Sequence, residues 1–145
     1  MGRSGMAAAG ALVEKGAAVS IQDSKTADKI DQAFLEQMKS AGVTEYLGCV
    51  PEDMSAFDML VLSPGVPPTL GFIEDAKAAG AEIIGELELA YRLCKGRFVA
   101  ITGTNGKTTT TTLVGEIYKA SGADTIVGRQ PPAPGVRSQC STERF

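Results

Sequence analysis

The stretch RFVAITGTNGKTTTTTLVGEIYKA, residues 97–120, predicts the architecture of the chain around it. Its apolar start, residues 98–101, predicts a buried strand, and the residues from Lys107 onward predict a helix. The turn between them contains Gly103 and Gly106, which allow backbone N–H groups to point at an anion. The start of the helix adds free N–H groups and the positive end of its dipole. This order of strand, glycine turn and helix predicts a site for nucleotide phosphates.

Two side chains complete the predicted phosphate site. Lys107 can reach the β- and γ-phosphates of a nucleotide, and the hydroxyl of Thr108 can ligate Mg²⁺. The general phosphate loop, G-x-x-x-x-G-K-[ST], begins with glycine, whereas Ile101 stands at that position in this chain. A glycine-rich turn with a chance lysine is therefore the alternative. The later threonines of the run are predicted to pack or cap the helix.

Composition limits the class of protein. The chain has 145 residues, of which 43% are hydrophobic, and a formal net charge of −3. These values suit one compact domain, or one domain and part of another, and no basic patch indicates a nucleic-acid partner. Without a membrane-span-length apolar run or a signal-peptide pattern, the expected location is cytoplasmic, with no membrane partner. The chain has no histidine, and its three cysteines lack C-x-x-C spacing, which argues against a histidine triad, a zinc site or a disulfide framework.

The first 23 residues predict part of a dinucleotide-type β-α-β unit. Gly2-Arg3-Ser4-Gly5 is a glycine turn, residues 6–13 favour a helix with an apolar face, and Gly16 is a suitable C-cap. A strand is predicted at 18–21, followed by Asp23, an acid about 20 residues after the turn as such units require. The strand expected before the turn is missing. A helix and a strand with incidental glycines are the alternative.

Two further α/β segments are predicted in the middle of the chain. Residues 26–41 predict a helix, residues 45–47 a short strand, and the apolar run 57–62 a buried parallel strand. The loop Ser63-Pro64-Gly65-Val66-Pro67-Pro68 follows the carboxyl end of that strand, where parallel sheets bind ligands. A proline-stiffened turn without a ligand is the alternative for this loop.

The segment before the glycine turn completes the predicted sheet. Residues 73–84 predict a helix and then a strand, and residues 85–93 predict a second helix. Glu86 and Glu88 diverge on that helix, so they are predicted to compensate the helix dipole and not to form a catalytic pair. The polar joint at residues 95–97 is the expected domain boundary.

After Gly122 the periodic pattern ends. Residues 125–128 predict one more strand, and residues 129–145, RQPPAPGVRSQCSTERF, predict a disordered tail. The predicted fold class is therefore α/β, with a Rossmann-like parallel sheet that lacks its first strand, followed by the start of a P-loop ATPase domain.

Four stretches together resemble one enzyme family, the Mur ligases. They are GRSGMAAA, LVLSPGVP, AEIIGELELAYR and AITGTNGKTTTTTLVGEI. The stretch GTNGKT alone is similar to all Mur ligases and to folylpolyglutamate synthetases. The stretches SPGVP and IIGELEL narrow the resemblance to the branch that adds D-glutamate. The resemblance covers residues 2–128, which would be the first third or so of a full ligase.

The resemblance implies a monomeric three-domain ligase that acts on UDP-N-acetylmuramoyl-L-alanine, D-glutamate and ATP with Mg²⁺ in peptidoglycan synthesis. Residues 1–96 would be the UDP-substrate domain, residues 97–128 the start of the ATP-binding domain, and residues 129–145 a tail outside the family pattern. In such ligases ATP phosphorylates the substrate carboxylate, and the amine of D-glutamate attacks the acyl phosphate. Phosphoryl transfer depends on positioning and charge neutralisation.

The resemblance also assigns roles to single residues. Those for the uridine nucleotide would be Arg3 and Ser4 in the glycine turn, Asp23, Ser24 and Lys25 near the uracil, and Ser63, Pro64 and Gly65 near the diphosphate and sugar. Those for ATP would be Gly103, Thr104, Asn105, Gly106, Lys107, Thr108 and Thr109. Of these, Lys107 on phosphate and Thr108 on Mg²⁺ are the candidate catalytic residues.

The chain departs from the family pattern at both ends. The family's first strand and first glycine are missing, and after Gly128 the chain reads Arg129-Gln130-Pro131 where the family has Asn-Ile-Gly. We therefore expect an N-terminal piece of such a ligase that is inactive alone. Two alternatives stay open. One is a non-catalytic module that binds a UDP-sugar or another nucleotide, and the other is a piece of another Mur ligase or of a folylpolyglutamate synthetase.

Overall fold

A computed structural model of the chain describes residues 3–127 and shows an α/β architecture. In chain order the helices and strands are α1 (Arg3–Glu14), β1 (Ser20–Asp23), α2 (Gln32–Ser40), β2 (Thr44–Leu47), β3 (Met59–Leu62), α3 (Gly71–Ala78), β4 (Glu82–Gly85), α4 (Glu86–Leu93) and α5 (Lys107–Ala120). Short 3-10 turns lie at Ala27–Lys29 and Met54–Ala56. Within residues 3–127, every helix falls short of the length and hydropathy that a membrane span needs.

The strands form two separate parallel pairs. β1 pairs with β2 from Ser20 opposite Thr44 onward, and β3 pairs with β4 up to Leu62 opposite Gly85. Each pair is connected through a helix, as parallel strands require. The predicted α/β class with parallel strands is confirmed, but the strands of residues 3–127 form two two-stranded sheets and not a single sheet. Each strand is paired on one side, so no ladder of hydrogen bonds joins the two sheets.

Helix α1 is the element that both sheets share. Ala9 and Val13 pack in a cluster with β1 and α2. Ala8 and Leu12 pack in a second cluster with β3, β4 and α4. Residues four apart lie on one line of a helix, so α1 presents two adjacent apolar lines, one to each sheet. This packing holds the sheets together without strand pairing between them.

β3 is covered on both faces, as its continuous apolar sequence predicts. Met59 and Val61 pack toward α1 and α4. Leu60, between them, packs in a third cluster that contains Ala76 of α3. Successive side chains of a strand point to opposite faces, and β3 therefore has one helical layer on each side.

Several predicted helix boundaries are confirmed, and one is wrong. α1 and α3 are followed by Gly16 with φ +79° and Gly80 with φ +99°, the left-handed conformation that favours glycine. The helix predicted over 26–41 begins instead at Gln32. Its N-cap is Asp31, whose Oδ1 accepts a hydrogen bond from the N–H of Phe34 at 3.1 Å, and a 3-10 turn precedes it.

The strands predicted at 98–101 and 125–128 are not found in the described part of the chain. Residues 98–101 and 125–127 have no regular secondary structure, because a strand needs a neighbour for its hydrogen bonds and neither segment has one within residues 3–127. Segment 98–101 is held to α4 by an edge-on contact of the Tyr91 and Phe98 rings, 5.9 Å between centroids. Gly128 and the tail predicted at 129–145 lie outside the described residues.

Candidate functional site

The carboxyl end of β1 carries the first group of predicted substrate residues. β1 ends at Asp23, whose Oδ1 accepts a hydrogen bond from the backbone N–H of Lys25 at 2.9 Å. The Asp23 carbonyl oxygen accepts from the N–H of Gly48 at 2.9 Å, so the chain leaving β2 is held against this turn. The side chains of Ser24 and Lys25 are exposed. The turn is therefore preformed, with a hydroxyl and an ammonium open to a ligand.

Gly48 is a residue that the sequence reasoning missed. It adopts φ +73°, and a Cβ at this position would lie 2.9 Å from Cγ2 of Thr26. A side chain at this position would therefore be strained by the backbone conformation and would require Thr26 to move. The signal in the sequence was a lone glycine directly after a predicted strand.

The first turn of α1 carries the second group. The helix begins at Arg3, immediately after Gly2, and Ser4 is half-buried in its first turn. No acidic residue lies in this turn. Free N–H groups at a helix start attract an anion. Because α1 packs on both sheets, it fixes the position of the predicted substrate residues after β1 relative to those after β3.

The loop after β3 carries the third group. Ser63, Pro64 and Gly65 begin a turn that the N–H of Val66 closes on the carbonyl oxygen of Ser63 at 2.9 Å. The hydroxyl of Ser63 donates to Oε1 of Glu86 at 2.6 Å, in a partly buried position. Pro64 and Gly65 are exposed. A contact with α4 therefore fixes this loop in addition to its prolines.

Glu86 is the second residue that sequence reasoning missed as part of the site. The prediction that Glu86 and Glu88 do not form a pair is confirmed, because Glu86 accepts from Ser63 and Glu88 accepts from Nε of Arg92 at 2.8 Å. Dipole compensation is thus an incomplete account of Glu86. The available signal was its position two residues after a predicted strand, close to that of Ser63, which directly follows another.

The glycine turn leads into α5 as predicted. Gly106 is the N-cap of this 14-residue helix and adopts φ +73°, while Gly103 adopts φ +149°. The first backbone hydrogen bond of the helix runs from the N–H of Thr110 to the carbonyl oxygen of Gly106 at 2.9 Å. The N–H groups of Lys107, Thr108 and Thr109 precede it, and neither a capping side chain nor an acid occupies this end. The start of α5 therefore fits an anion such as a phosphate.

The side chain of Lys107 folds back over the turn. Its Nζ donates to the carbonyl oxygens of Gly103 and Thr104, the latter at 3.2 Å. The positive charge is therefore held over the turn that precedes α5. The loop residues Thr104 and Asn105 are exposed. A phosphate that enters the turn meets this ammonium and the N–H groups together.

The later threonines of the run do not pack or cap as predicted, because Thr109, Thr110 and Thr112 are exposed and no side chain within residues 3–127 caps α5. Thr108 stands in the first turn of α5 and is exposed, so its hydroxyl is open to a cation bound beside a phosphate. Thr112 instead donates to the carbonyl oxygen of Thr108 at 3.0 Å, a bond within the helix. The donor set of the turn, with one lysine, a hydroxyl and free N–H groups, fits a nucleotide with Mg²⁺.

Groups with shifted pKa values lie away from these residues. A hydrogen bond from Arg92 lowers the pKa of Glu82 below its ordinary value, and the same contact raises the pKa of Arg92. Hydrogen bonds from Ser55 lower the pKa of Asp53. These ion-pair and capping contacts are structural, since none of them involves a candidate site residue.

Comparison with known proteins decides the family. The model of the Mur ligase MurD-like N-terminal domain matches residues 1–85, more than half of the chain. The chain belongs to the MurD-like Mur ligases. The model of the Mur ligase middle domain matches residues 101–140, which include the glycine turn and α5. The Mur ligase family was predicted from the motifs, and this prediction is confirmed.

Curated relatives of this family are similar over most of the chain. One from Alkaliphilus oremlandii is 52% identical over 122 residues, 80% of this chain and 26% of its own length. One from Alkaliphilus metalliredigens is 49% identical over 80% of this chain, and one from Pelotomaculum thermopropionicum is 46% identical over 92%. All three are named UDP-N-acetylmuramoylalanine--D-glutamate ligase. The chain spans less than a third of the length of these relatives.

Proposed function

We propose that the protein to which this chain belongs is an ATP-dependent ligase that adds D-glutamate to UDP-N-acetylmuramoyl-L-alanine in peptidoglycan synthesis. ATP would supply the phosphoryl group that converts the substrate carboxylate into an acyl phosphate, which the amine of D-glutamate attacks. The names of the relatives support the substrates. The observation that carries the proposal is the start of α5, where Gly106 leaves three N–H groups uncapped beside Lys107. The MurD-like match favours this function over a folylpolyglutamate synthetase.

We assign the UDP substrate to the ends of α1, β1 and β3. Arg3 and Ser4 would approach the nucleotide from the first turn of α1. Asp23, Ser24 and Lys25 would lie near the uracil, and Ser63, Pro64 and Gly65 near the diphosphate and sugar. Supporting this assignment, these groups lie at the carboxyl ends of β1, which ends at Asp23, and of β3, which ends at Leu62. Parallel sheets bind ligands at such ends.

We assign ATP and Mg²⁺ to the glycine turn. Lys107 would neutralise charge on the phosphates, and the hydroxyl of Thr108 would ligate the metal, while the turn residues would hold the phosphates through backbone N–H groups. The boundary between the substrate domain and the ATP-binding domain would lie at residues 95–97. It agrees with the gap between the two family matches, which end at 85 and begin at 101.

Calorimetric titration of the 145-residue chain tests these assignments. We expect UDP-N-acetylmuramoyl-L-alanine and Mg²⁺-ATP to bind independently. Lys107→Met should weaken ATP binding at least about tenfold, because it removes charge-assisted hydrogen bonds, and should leave the UDP substrate unaffected. The matched control is Lys119→Met, in the last turn of the same helix, where Lys119 pairs with Glu116 at 2.9 Å.

Three results would contradict the proposal. One is binding of neither nucleotide by the folded chain. A second is equal ATP affinity of Lys107→Met and Lys119→Met. The third is tighter binding of NADH than of the UDP substrate, which would favour a dinucleotide-binding module and count against a ligase.

A further inference from the structure

The hydrogen bond between Ser63 and Glu86 lies at the candidate substrate site, and neither the sequence motifs nor the names of the relatives give it a role. Leu62 and Gly85 are the last facing pair of the β3–β4 ladder. Ser63 and Glu86 are the next residues of the two strands, so they leave the ladder side by side. The 2.6 Å bond between them is partly buried and joins residues 23 apart in sequence.

The hydrogen-bonding capacity of the pair limits what it can recognise. A hydroxyl has one hydrogen, and a carboxylate can only accept. Because the Ser63 hydrogen points at Oε1 of Glu86, the pair is left with acceptor positions alone, on the serine oxygen and on the carboxylate. A phosphate oxygen also only accepts, and its negative charge is repelled by the carboxylate. An O–H or N–H group of a ligand is the complementary partner.

The backbone of the same turn has a different capacity. Pro64 has no N–H, and the N–H of Val66 is used by the carbonyl oxygen of Ser63. Among Pro64, Gly65 and Val66, the remaining N–H is that of Gly65, and this residue is exposed. A backbone N–H is a donor that suits a phosphate oxygen. The loop therefore separates a donor at Gly65 from the acceptors at Ser63 and Glu86.

We propose that Ser63 and Glu86 form a specificity-determining acceptor for an O–H or N–H group of the sugar in a nucleotide-sugar substrate, and that they contribute nothing to diphosphate binding. The inference rests on the proposed function and narrows it, because Ser63 is assigned to the sugar and the diphosphate is left to the N–H of Gly65. Glu86 contacts the substrate and also orients the hydroxyl of Ser63.

The test compares two ligands that differ in the sugar. UDP-N-acetylmuramoyl-L-alanine and UDP are titrated into the wild-type chain, Ser63→Ala and Glu86→Gln. Each substitution should weaken binding of the UDP-sugar about two- to tenfold, the range for one or two hydrogen bonds, and should leave UDP affinity unchanged. Glu74→Gln is the matched control, because Glu74 is also an acid in the first turn of a helix, α3. Thermal unfolding of each variant verifies that it is folded.

The outcomes distinguish failure of the inference from failure of the proposed function. If the wild-type chain binds the UDP-sugar and neither substitution changes that affinity, the inference is overturned and the proposed function stands. An equal loss of UDP and UDP-sugar affinity also overturns it, because the pair would then act on the diphosphate or on the fold. A wild-type chain that is folded and binds neither ligand overturns the inference and the proposed function together. If one variant is unfolded, the other decides the result.

Discussion

Arg92 shows how single residues connect elements of this fold. Its guanidinium donates from Nη1 and Nη2 to both carboxylate oxygens of Glu82, at 2.8 and 2.7 Å, and from Nε to Glu88 at 2.8 Å. Glu82 begins β4 and Arg92 lies in the last turn of α4. The bidentate contact therefore ties the far end of α4 to the start of its preceding strand. All three side chains are substantially exposed, so the net stabilisation is small.

This contact predicts a pH dependence of stability. The hydrogen bond from Arg92 lowers the pKa of Glu82 below its ordinary value of 4.5. A lowered folded-state pKa gives a stabilisation that is complete above 4.5 and is lost as the pH falls through the folded-state pKa. We expect Glu82→Gln to unfold at lower urea concentration than wild type at neutral pH, and the difference to shrink as the pH falls below 4.5. A difference that persists in acid would contradict this cause.

At the scale of elements, capping sets where α2 begins. The helical pattern of residues 26–41 does not by itself locate the first turn. Asp31 does, because its carboxylate accepts from the N–H of Phe34. Because its side chain can hydrogen-bond to nearby backbone N–H groups, aspartate is favoured at a helix N-cap over the helix interior. The buried residues of α2, Phe34, Leu35 and Met38, then face the cluster around β1.

Removal of this cap tests its role. Asp31→Ala should lower the free energy of unfolding by about 1 kcal/mol, the usual value for an N-cap side chain. Asp28→Ala is the control, since Asp28 lies in the adjacent 3-10 turn and is exposed. Urea denaturation followed by circular dichroism measures both. Equal stability of the two variants would show that Asp31 does not determine the start of α2.

At the scale of the whole molecule, α1 packs on two sheets whose strands are not paired with each other within residues 3–127. Leu12 packs against the β3–β4 sheet, and Val13, the next residue, packs against the β1–β2 sheet. Stability is then predicted to be shared, because neither sheet can lose α1 without exposing apolar surface. A two-stranded sheet alone is marginally stable in water.

Amide hydrogen exchange distinguishes shared from separate stability. We expect Leu12→Ala and Val13→Ala each to speed exchange at both Ile21 of β1 and Ile84 of β4, with a loss of about 1–2 kcal/mol for these partly buried side chains. If the sheets unfold separately, Leu12→Ala should affect Ile84 alone and Val13→Ala should affect Ile21 alone. That second pattern would refute the role of α1 as the connecting element.

The sequence by itself determined the features that depend on neighbouring residues. Gly80 marks the end of α3 and Gly106 the start of α5, because positive φ angles favour glycine wherever the chain lies. The order of turn, lysine, hydroxyl and helix is equally local, and together with three further stretches of sequence it predicted the family. Tertiary structure alone decided how the strands pair, since a ladder needs a partner strand. It also decided that Ser63 meets Glu86, a contact between residues that only the parallel register of β3 and β4 brings together.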